Sequence, residues 1–277
     1  MTLSRREATE LLARHGLAPS RALGQNFVVD PNTVRRMVRL AGVGPNDHVV
    51  EVGAGLGALT LAIAETGATV RALELDRGLV RVLAEVLADN PNASVVEADA
   101  MNADWTGILL GAPSWMLVAN LPYNIATPLV ADLLDKVPAI EKMVVMVQRE
   151  VGERLAASPG DPAYGAVSVK VSYWAKARLL GDVPPTVFMP RPKVMSTIVE
   201  ITRRPAPAVD AGVDRQLVFA LVRAGFGHRR KMLRRSLAGL VTAEHFAAAD
   251  VRPEARAEEL DVADWGRLTA VVQADRQ

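Results

Sequence analysis

Short apolar runs rich in β-branched residues alternate with segments of helical period along the first two thirds of the chain. Each run is short enough to be a buried strand. The runs cover His48 to Val52, Thr69 to Leu75, Ser94 to Ala98, Trp115 to Ala119 and Lys142 to Val147. Strands that alternate with helices are typical of a parallel sheet with helices on its faces. We therefore predict an α/β fold.

The pattern differs at the two ends of the chain. Ser4 to His15 is predicted to form a short amphipathic helix, and Ser196 to Thr202 alternates like a closing antiparallel strand. Arg204 to Ala208 holds two prolines among small residues and is the clearest linker. Four helices are predicted beyond it, at Asp214 to Gly225, Arg230 to Leu240, Ala243 to Ala248 and Val262 to Ala274. We therefore predict an α/β domain with an N-terminal extension, residues 1–203, and a helical domain, residues 204–277.

Three alternate glycines follow the first apolar run. Gly53, Gly55 and Gly57 separate that run from a helical segment that begins at Ala58. Glycines at this spacing allow a sharp turn, a positive φ and close approach of a ligand to the main chain. Glu74, near the end of the second run, is placed to accept hydrogen bonds from the hydroxyls of a ribose. The pattern predicts the first βαβ unit of a nucleotide-binding sheet, and a tight turn without a ligand is the competing interpretation.

The glycine loop favours a cofactor with a cationic end over a dinucleotide. Its pattern is G-x-G-x-G, so it lacks the third glycine that G-x-G-x-x-G places beneath a pyrophosphate. Glu51 precedes the loop, and its carboxylate would repel a diphosphate. S-adenosylmethionine carries both an ammonium and a sulfonium group. We therefore expect S-adenosylmethionine here and rank an NAD-dependent dehydrogenase well below it.

Two further strands end in polar residues. Asp99 follows the third strand, where it either accepts a hydrogen bond from an adenine amino group or only caps a turn. Asn120, Pro122 and Tyr123 end or follow the fourth strand. An amide, a proline carbonyl and an aromatic ring together are able to hold a nucleobase by hydrogen bonds and stacking. Phe188 is either a core residue or a second aromatic residue near this pocket.

The composition excludes several other kinds of site. Hydrophobic residues make up 50% of the 277 residues, which is enough for a full core. The chain has no cysteine, so disulfides, thiolate nucleophiles and cysteine–zinc sites are excluded, and its four histidines show no metal-ligand spacing. No apolar run approaches the roughly 20 residues of a membrane span. We expect a soluble cytoplasmic protein with no metal and no membrane partner.

Charge is segregated in the C-terminal region, although the formal net charge of the whole chain is only +1. Residues 215–235 contain seven basic residues and no acidic residue. Five of the seven lie close together, at Arg229, Arg230, Lys231, Arg234 and Arg235. A charge run usually does no more than solvate a surface. A run as one-sided as this one favours contact with nucleic-acid phosphates.

The motifs taken together resemble those of one family. R-A-L-G-Q-N-F-V, E-V-G-A-G-L-G, E-L-D, the Asp99–Ala100 pair, N-L-P-Y-N and F-M-P-R-P-K-V-M-S occur in this order. F-G-H-R-R-K-M-L-R-R-S-L extends the likeness into the C-terminal region. The set is similar to the ribosomal RNA adenine N6-dimethyltransferases, specifically the bacterial small-subunit enzymes whose loss gives kasugamycin resistance. The resemblance implies a Rossmann-like S-adenosylmethionine-dependent methyltransferase sheet with a small all-helical C-terminal domain.

The resemblance also implies a role for each motif residue. Cofactor contacts are implied for Asn26, Val28, Gly53, Gly55, Glu74, Asp99 and Asn120. Catalytic and base-binding roles are implied for Asn120, Pro122, Tyr123 and Phe188, and RNA binding for the five clustered basic residues. The sequence departs from the family pattern at Val28, where leucine is usual, and at His228, where glutamine is frequent.

The implied reaction transfers methyl groups to the N6 amines of two adjacent adenosines in the 3′-terminal hairpin loop of 16S rRNA. The implied substrate is the immature small ribosomal subunit, and the enzyme is expected to be a monomer. One alternative is a large-subunit rRNA adenine methyltransferase of the macrolide-resistance type, which shares the catalytic motifs. The other is a ribosome-assembly factor that keeps the fold and only binds RNA. N-L-P-Y-N-I-A-T-P and R-R-K-x-L-R-x-S-L favour the small-subunit enzyme.

Overall fold

The computed structural model describes residues 2–20, 23–228 and 230–276, which form two compact units. The first unit comprises residues 1–152 and 178–202, and the second comprises residues 153–177 and 203–277. The predicted boundary at 203/204 placed residues 153–177 in the α/β domain, whereas the structure groups them with the helical part. The reason is packing, since Tyr164, Val169 and Tyr173 belong to the apolar core of the second unit.

In the described part of the chain, nine strands form two sheets. They are β1 (Phe27–Val28), β2 (His48–Val52), β3 (Thr69–Glu74), β4 (Ala93–Glu97), β5 (Trp115–Asn120), β6 (Ile140–Gln148), β7 (Ala175–Val183), β8 (Phe188–Met189) and β9 (Ser196–Arg203). The large sheet has the order β4-β3-β2-β5-β6-β9-β7, while β1 pairs with β8 in a separate two-stranded sheet. Strands β2, β3, β4, β5 and β6 are parallel to one another, and β9 pairs with β6 as the predicted antiparallel strand.

Strand order reverses at β2, which has β3 on one side and β5 on the other. Helices after β2 and β5 therefore leave opposite faces of the sheet, and a crevice opens beyond the carboxyl ends of these two strands. The central strands are apolar on both faces because helices cover both. Val49, Val70, Val118 and Val144 are fully buried in the main cluster.

The helices described over residues 5–156 are α1 (Arg5–Arg14), α2 (Pro31–Ala41), α3 (Ala58–Ala64), α4 (Arg77–Val86), α5 (Trp105–Ile108), α6 (Ala126–Lys136) and α7 (Arg149–Ala156). Asp30 caps α2, because its carboxylate accepts the Thr33 N–H at 2.9 Å and Pro31 occupies the first helical position. The sequence pattern did not predict β1, α5 or α6. Helix α6 has no side-chain cap at its start, so its N-terminus carries no sequence signal.

The second unit contains α8 (Ala166–Trp174), α9 (Arg215–Gly227), α10 (Leu233–Ser236), α11 (Ala243–Ala248) and α12 (Val262–Ala274). These helices enclose a core around Trp265, which has no exposed surface. None of the described helices combines the length and the apolar character needed to cross a membrane.

The predicted helix Arg230 to Leu240 is wrong over most of its length, because only the four residues of α10 are helical there. Met232 is extended and forms a bridge with Arg256. The backbone N–H of Leu233 donates to the carbonyl of Ala255 at 2.8 Å, and that of Arg234 donates to the carbonyl of Pro253 at 3.0 Å. Tertiary hydrogen bonds thus replace the helical ones expected from local periodicity.

Candidate functional site

A cavity lies beyond the carboxyl ends of the parallel strands in the first unit. Its wall comes from the glycine loop after β2, the ends of β3 and β5, the turn after β4 and the segment before β1. Nine of the predicted site residues line it: Asn26, Val28, Gly53, Gly55, Glu74, Asp99, Asn120, Pro122 and Tyr123. The fold therefore brings together groups that are far apart in sequence, at the position expected for the ligand of an open parallel sheet.

The glycine loop has no room for side chains. Gly53 and Gly55 have φ values of 72° and 59°. A Cβ on Gly53 would lie 3.1 Å from the ring of Pro122, and one on Gly55 would lie 2.9 Å from the ring of Phe27. The main chain is thus left bare on the cavity wall, as close approach of a ligand requires.

Backbone groups hold the carboxylate of Glu74 in place. Its Oε2 accepts the N–H of Gly55 at 2.8 Å, and its Oε1 accepts those of Leu75 and Asp76 at 2.9 and 3.0 Å. Burial raises the pKa of Glu74, and these three hydrogen bonds oppose the rise. Because Oε1 already accepts two bonds, Oε2 is the oxygen with a lone pair left for a ligand hydroxyl.

A second carboxyl group, Glu51, is buried at the end of β2 and also lines the cavity. It accepts a hydrogen bond from the hydroxyl of Thr60 at 2.6 Å. Burial raises the pKa of Glu51 to about 8; the Thr60 hydrogen bond opposes this rise and the charge of Glu74 adds to it. A cationic group beside Glu51 would favour its ionised form.

Asp99 lies in the turn after β4. Its position is compatible with both predicted functions, which are capping a turn and accepting a hydrogen bond from an adenine amino group. Its Oδ1 accepts the N–H of Met101 at 3.0 Å, and its Oδ2 accepts the side-chain amide of Asn102 at 2.8 Å. These bonds make it a turn-forming residue. It also lines the cavity, where its remaining lone pairs are available to a ligand amine.

The side-chain amide of Asn120 is oriented by the main chain. Its Nδ2 donates to the carbonyl oxygen of Asn26 at 2.9 Å. Asn26 lies 94 positions earlier in the sequence. The Oδ1 of the same amide is buried and has no hydrogen-bond partner among the described residues. Because a buried acceptor without a partner is costly, this oxygen is suited to a donor that a ligand supplies.

Tyr123 is half-buried on the cavity wall, and its hydroxyl lies 2.8 Å from the Oγ of Ser196 at the start of β9. The carbonyl of Pro122 accepts the N–H groups of both Ile125 and Ala126 at 3.2 Å. Of the two acceptors predicted for a target amine, Asn120 Oδ1 is thus open, while the Pro122 carbonyl is already engaged in the turn.

Phe188 is not among the residues that line the cavity. It pairs with Val28 across the β1–β8 ladder and has no exposed surface, because it lies within the main apolar cluster. Of the two interpretations that its sequence position allowed, the structure places it in the core. Stacking of this ring on a base would require the ring to move or to be uncovered first.

Two contacts of the site were not predicted from the sequence. The amide of Gln25 accepts the N–H of Ser20 at 2.7 Å and donates to the carboxylate of Asp76 at 3.3 Å. The hydroxyl of Ser196 pairs with Tyr123, as described above. Both residues lie inside motifs already noted, G-Q-N-F and P-K-V-M-S, so their motif positions were the only signal.

The clustered basic residues belong to the second unit. Arg230, Lys231, Arg234 and Arg235 are exposed there, and Arg229 lies outside the described residues. Arg230 and Lys231 precede the short helix α10, so the cluster is not a continuous helical stripe. The only described acidic partner within 4 Å is Glu254, which lies 3.8 Å from Arg234. Among the described residues, no group of three or more histidine, aspartate or glutamate side chains is arranged to hold a metal ion.

Comparison with known proteins agrees with the motif resemblance. The profile of the family described as "Ribosomal RNA adenine dimethylase" matches residues 18–274. The chain is 48% identical to the "Ribosomal RNA small subunit methyltransferase A" of Kineococcus radiotolerans, over 97% of this chain and 91% of that protein. It is 47% identical to the protein of the same name from Cutibacterium acnes, over 94% of this chain and 91% of that protein.

Two solved structures share the fold. A dimethyladenosine transferase from Plasmodium falciparum superposes with a TM-score of 0.76 at 23% identity, covering 89% of this chain and 97% of that one. The 23S rRNA methyltransferase ErmE superposes with a TM-score of 0.70 at 25% identity, covering 89% and 99%. The predicted α/β sheet with a helical C-terminal domain is confirmed.

Proposed function

Because the chain belongs to the ribosomal RNA adenine dimethylase family, we propose that it dimethylates two adjacent adenosines in the 3′-terminal hairpin loop of 16S rRNA. S-adenosylmethionine is the methyl donor, and the products are N6,N6-dimethyladenosines. The small-subunit assignment is supported by identities of 47–48% to proteins named small subunit methyltransferase A, against 25% to the large-subunit enzyme.

The single observation that carries the proposal is the buried, unpartnered Oδ1 of Asn120. An adenine N6 amine is a poor nucleophile because its lone pair is delocalised into the ring. A group that accepts a hydrogen bond from this amine draws the N–H out of the ring plane and localises the lone pair on nitrogen. Since Nδ2 of the same amide is held by the Asn26 carbonyl, Oδ1 is already oriented to accept.

The cofactor cradle is proposed to consist of Asn26, Val28, Gly53, Gly55, Glu74, Asp99 and Asn120. Its chemistry fits the cofactor, because Glu74 offers Oε2 to a ribose hydroxyl and Asp99 offers an acceptor to the adenine amine. When bound, S-adenosylmethionine supplies an electrophilic methyl group on a sulfonium leaving group. The protein contributes position and alignment of the amine. No dedicated base is required, since the methylated nitrogen is strongly acidic.

The target base is proposed to stack on Tyr123, whose ring is fixed through the Ser196 hydroxyl. The Pro122 carbonyl is the second proposed acceptor, and it would have to release one of its two backbone hydrogen bonds to accept from the amine. Phe188 is the second proposed aromatic contact, conditional on the movement noted above. Arg229, Arg230, Lys231, Arg234 and Arg235 are proposed to neutralise RNA phosphates. The protein is proposed to act as a cytoplasmic monomer on the immature small subunit.

Primer extension across the 3′-terminal hairpin of small-subunit rRNA tests the proposal. Unmethylated small subunits incubated with the protein and S-adenosylmethionine should acquire a stop at the two adenosines, and subunits incubated with the Asn120→Ala variant should not. A stop in large-subunit rRNA instead would favour the macrolide-resistance type. Cofactor binding without any methylation would favour the non-catalytic assembly factor.

A further inference from the structure

The segment that precedes β1 spans the cavity from one wall to the other. At one side Gln25 donates to Asp76, in the loop after β3. At the other side the Asn26 carbonyl accepts from Asn120 at the end of β5. Gly24 lies so close to the base-binding loop that a Cβ there would be 3.0 Å from Oδ1 of Asn124. We call residues 23–26 the strap.

A continuous series of contacts runs through the strap. The Asp76 N–H donates to Glu74 Oε1 at 3.0 Å, and the Asp76 carboxylate accepts from Gln25 at 3.3 Å. The next residue in the chain is Asn26, whose carbonyl holds the Asn120 amide at 2.9 Å. The carboxylate proposed to bind ribose is therefore connected to the amide proposed to bind the target amine.

Gln25 is the central residue of this series. Its side-chain Oε1 accepts the Ser20 N–H at 2.7 Å, and its backbone N–H donates to the Ser20 carbonyl at 3.1 Å. Three contacts thus fix a single residue between Ser20 and Asp76. The two-residue strand β1, which follows, offers the strap little ladder pairing of its own.

We infer that Gln25 is a positioning residue that couples occupancy of the cofactor cradle to the orientation of Asn120. Glu74 is hydrogen-bonded to Asp76, and Asn26 follows Gln25 in the chain. A cofactor bound to Glu74 and Asn26 therefore restrains the residues on both sides of the Gln25–Asp76 hydrogen bond. The steadied Asn26 carbonyl then keeps Asn120 Oδ1 directed at the base. The inference rests on the proposed function, and it predicts that cofactor and RNA bind cooperatively.

The experiment measures affinity for unmethylated small ribosomal subunits with and without saturating S-adenosylhomocysteine. The ratio of the two affinities is the coupling, and allosteric couplings are typically about 5- to 150-fold. Wild type should show a ratio in that range. Gln25→Ala should bring the ratio near one and lower kcat at saturating concentrations of both ligands, because the strap no longer transmits cofactor binding to Asn120.

Two further variants sharpen the test. Gln25→Glu keeps the acceptor for Ser20 but replaces the donor facing Asp76 with a carboxylate, so its coupling should be lost as well. Asn92→Ala is the matched control. It also removes two side-chain hydrogen bonds, to the carbonyls of Ala64 and Ala68, before β4 and away from the cavity, and should keep the wild-type ratio.

The outcomes separate the inference from the function on which it rests. A wild-type ratio of one, or an unchanged ratio in Gln25→Ala or Gln25→Glu, overturns the coupling role while methylation by wild type continues. Failure of wild type to bind S-adenosylhomocysteine or to methylate the subunits overturns the proposed function itself. Loss of coupling in Asn92→Ala too would assign the effect to general destabilisation and reject the role of Gln25.

Discussion

The cavity of the first unit and the basic cluster of the second hold their functional groups in opposite ways. Three backbone N–H groups fix the carboxylate of Glu74, and a backbone carbonyl fixes the amide of Asn120. Arg230, Lys231 and Arg235 instead extend from the surface. Pre-oriented acceptors act on one reacting group, whereas exposed cations contribute charge to many phosphates. The two regions should therefore respond differently to mutation and to salt.

The largest effect per side chain is expected for Asn120→Ala. Removing the open acceptor Oδ1 should lower the methyl-transfer rate by about 10²–10³-fold, as loss of one fixed transition-state contact does in other enzymes. Single-turnover methylation of small subunits measures it. Asn92→Ala serves as a control for destabilisation, with equal melting temperatures required before rates are compared. Near-wild-type transfer by Asn120→Ala would remove this residue from the mechanism.

Glu74→Ala is expected to weaken S-adenosylmethionine binding by about 1.5–3 kcal/mol, since hydrogen bonds to a charged acceptor disappear. Calorimetric titration at two salt concentrations measures the loss, which should be the same in both because the site is buried. Glu97→Gln, an exposed carboxylate one strand away, is the control. Unchanged affinity in Glu74→Ala would place the ribose elsewhere.

Tyr123→Ala is expected to cost about 1–3 kcal/mol in target binding through lost stacking. Tyr123→Phe keeps the ring and loses only the contact with Ser196, so it should be much milder. Competition binding of small subunits to both variants separates the contribution of ring stacking from that of the hydroxyl contact with Ser196. If Tyr123→Phe were as damaging as Tyr123→Ala, the hydroxyl rather than the ring would carry the effect.

The basic cluster should show the salt dependence that the cavity lacks. Replacing Arg230, Lys231 and Arg234 with Ala should make the slope of log K against log salt shallower by roughly two to three, about 0.7–0.9 for each phosphate contact. Cofactor affinity should stay unchanged. The matched control is a triple replacement with Ala of Arg39, Arg81 and Lys136, which are exposed in the first unit. It changes the net charge by the same amount as the cluster variant does. Equal slopes for the cluster variant and wild type would mean that the cluster does not contact RNA.

The last prediction concerns the proton on Glu51. Its pKa in the folded protein is about 8, above the unfolded value, so the folded state binds more protons between about pH 4.5 and 8. The free energy of unfolding should therefore fall as pH rises through this window, and Glu51→Gln should flatten the fall. Binding of a cationic cofactor near neutral pH should release, on average, less than one proton from Glu51. Calorimetric titration in two buffers with different ionisation enthalpies measures this release. Binding without proton release would show that Glu51 does not face the cation.

The local pattern of the chain determined most strands and the order of the site loops. His48–Val52 was predicted to the residue, because a short valine-rich run that ends at a glycine loop is typical of a buried parallel strand. The glycine loop, Glu74, Asp99 and Asn120 follow strands, and parallel strands bring their carboxyl ends to one edge. Nine of the ten predicted residues of the cofactor and base sites therefore line one cavity.

Tertiary structure alone decided what each of these groups does. The Asn26 carbonyl meets Asn120, Gln25 meets Asp76, and Phe188 enters the core, although no local period records these pairings. The helix predicted at Arg230 to Leu240 gave way to hydrogen bonds with residues 253–256. Local sequence fixes which backbone conformations are favourable. Which donor meets which acceptor depends on chain segments about 20 to 160 positions apart, and these are brought together only by burial of the shared core.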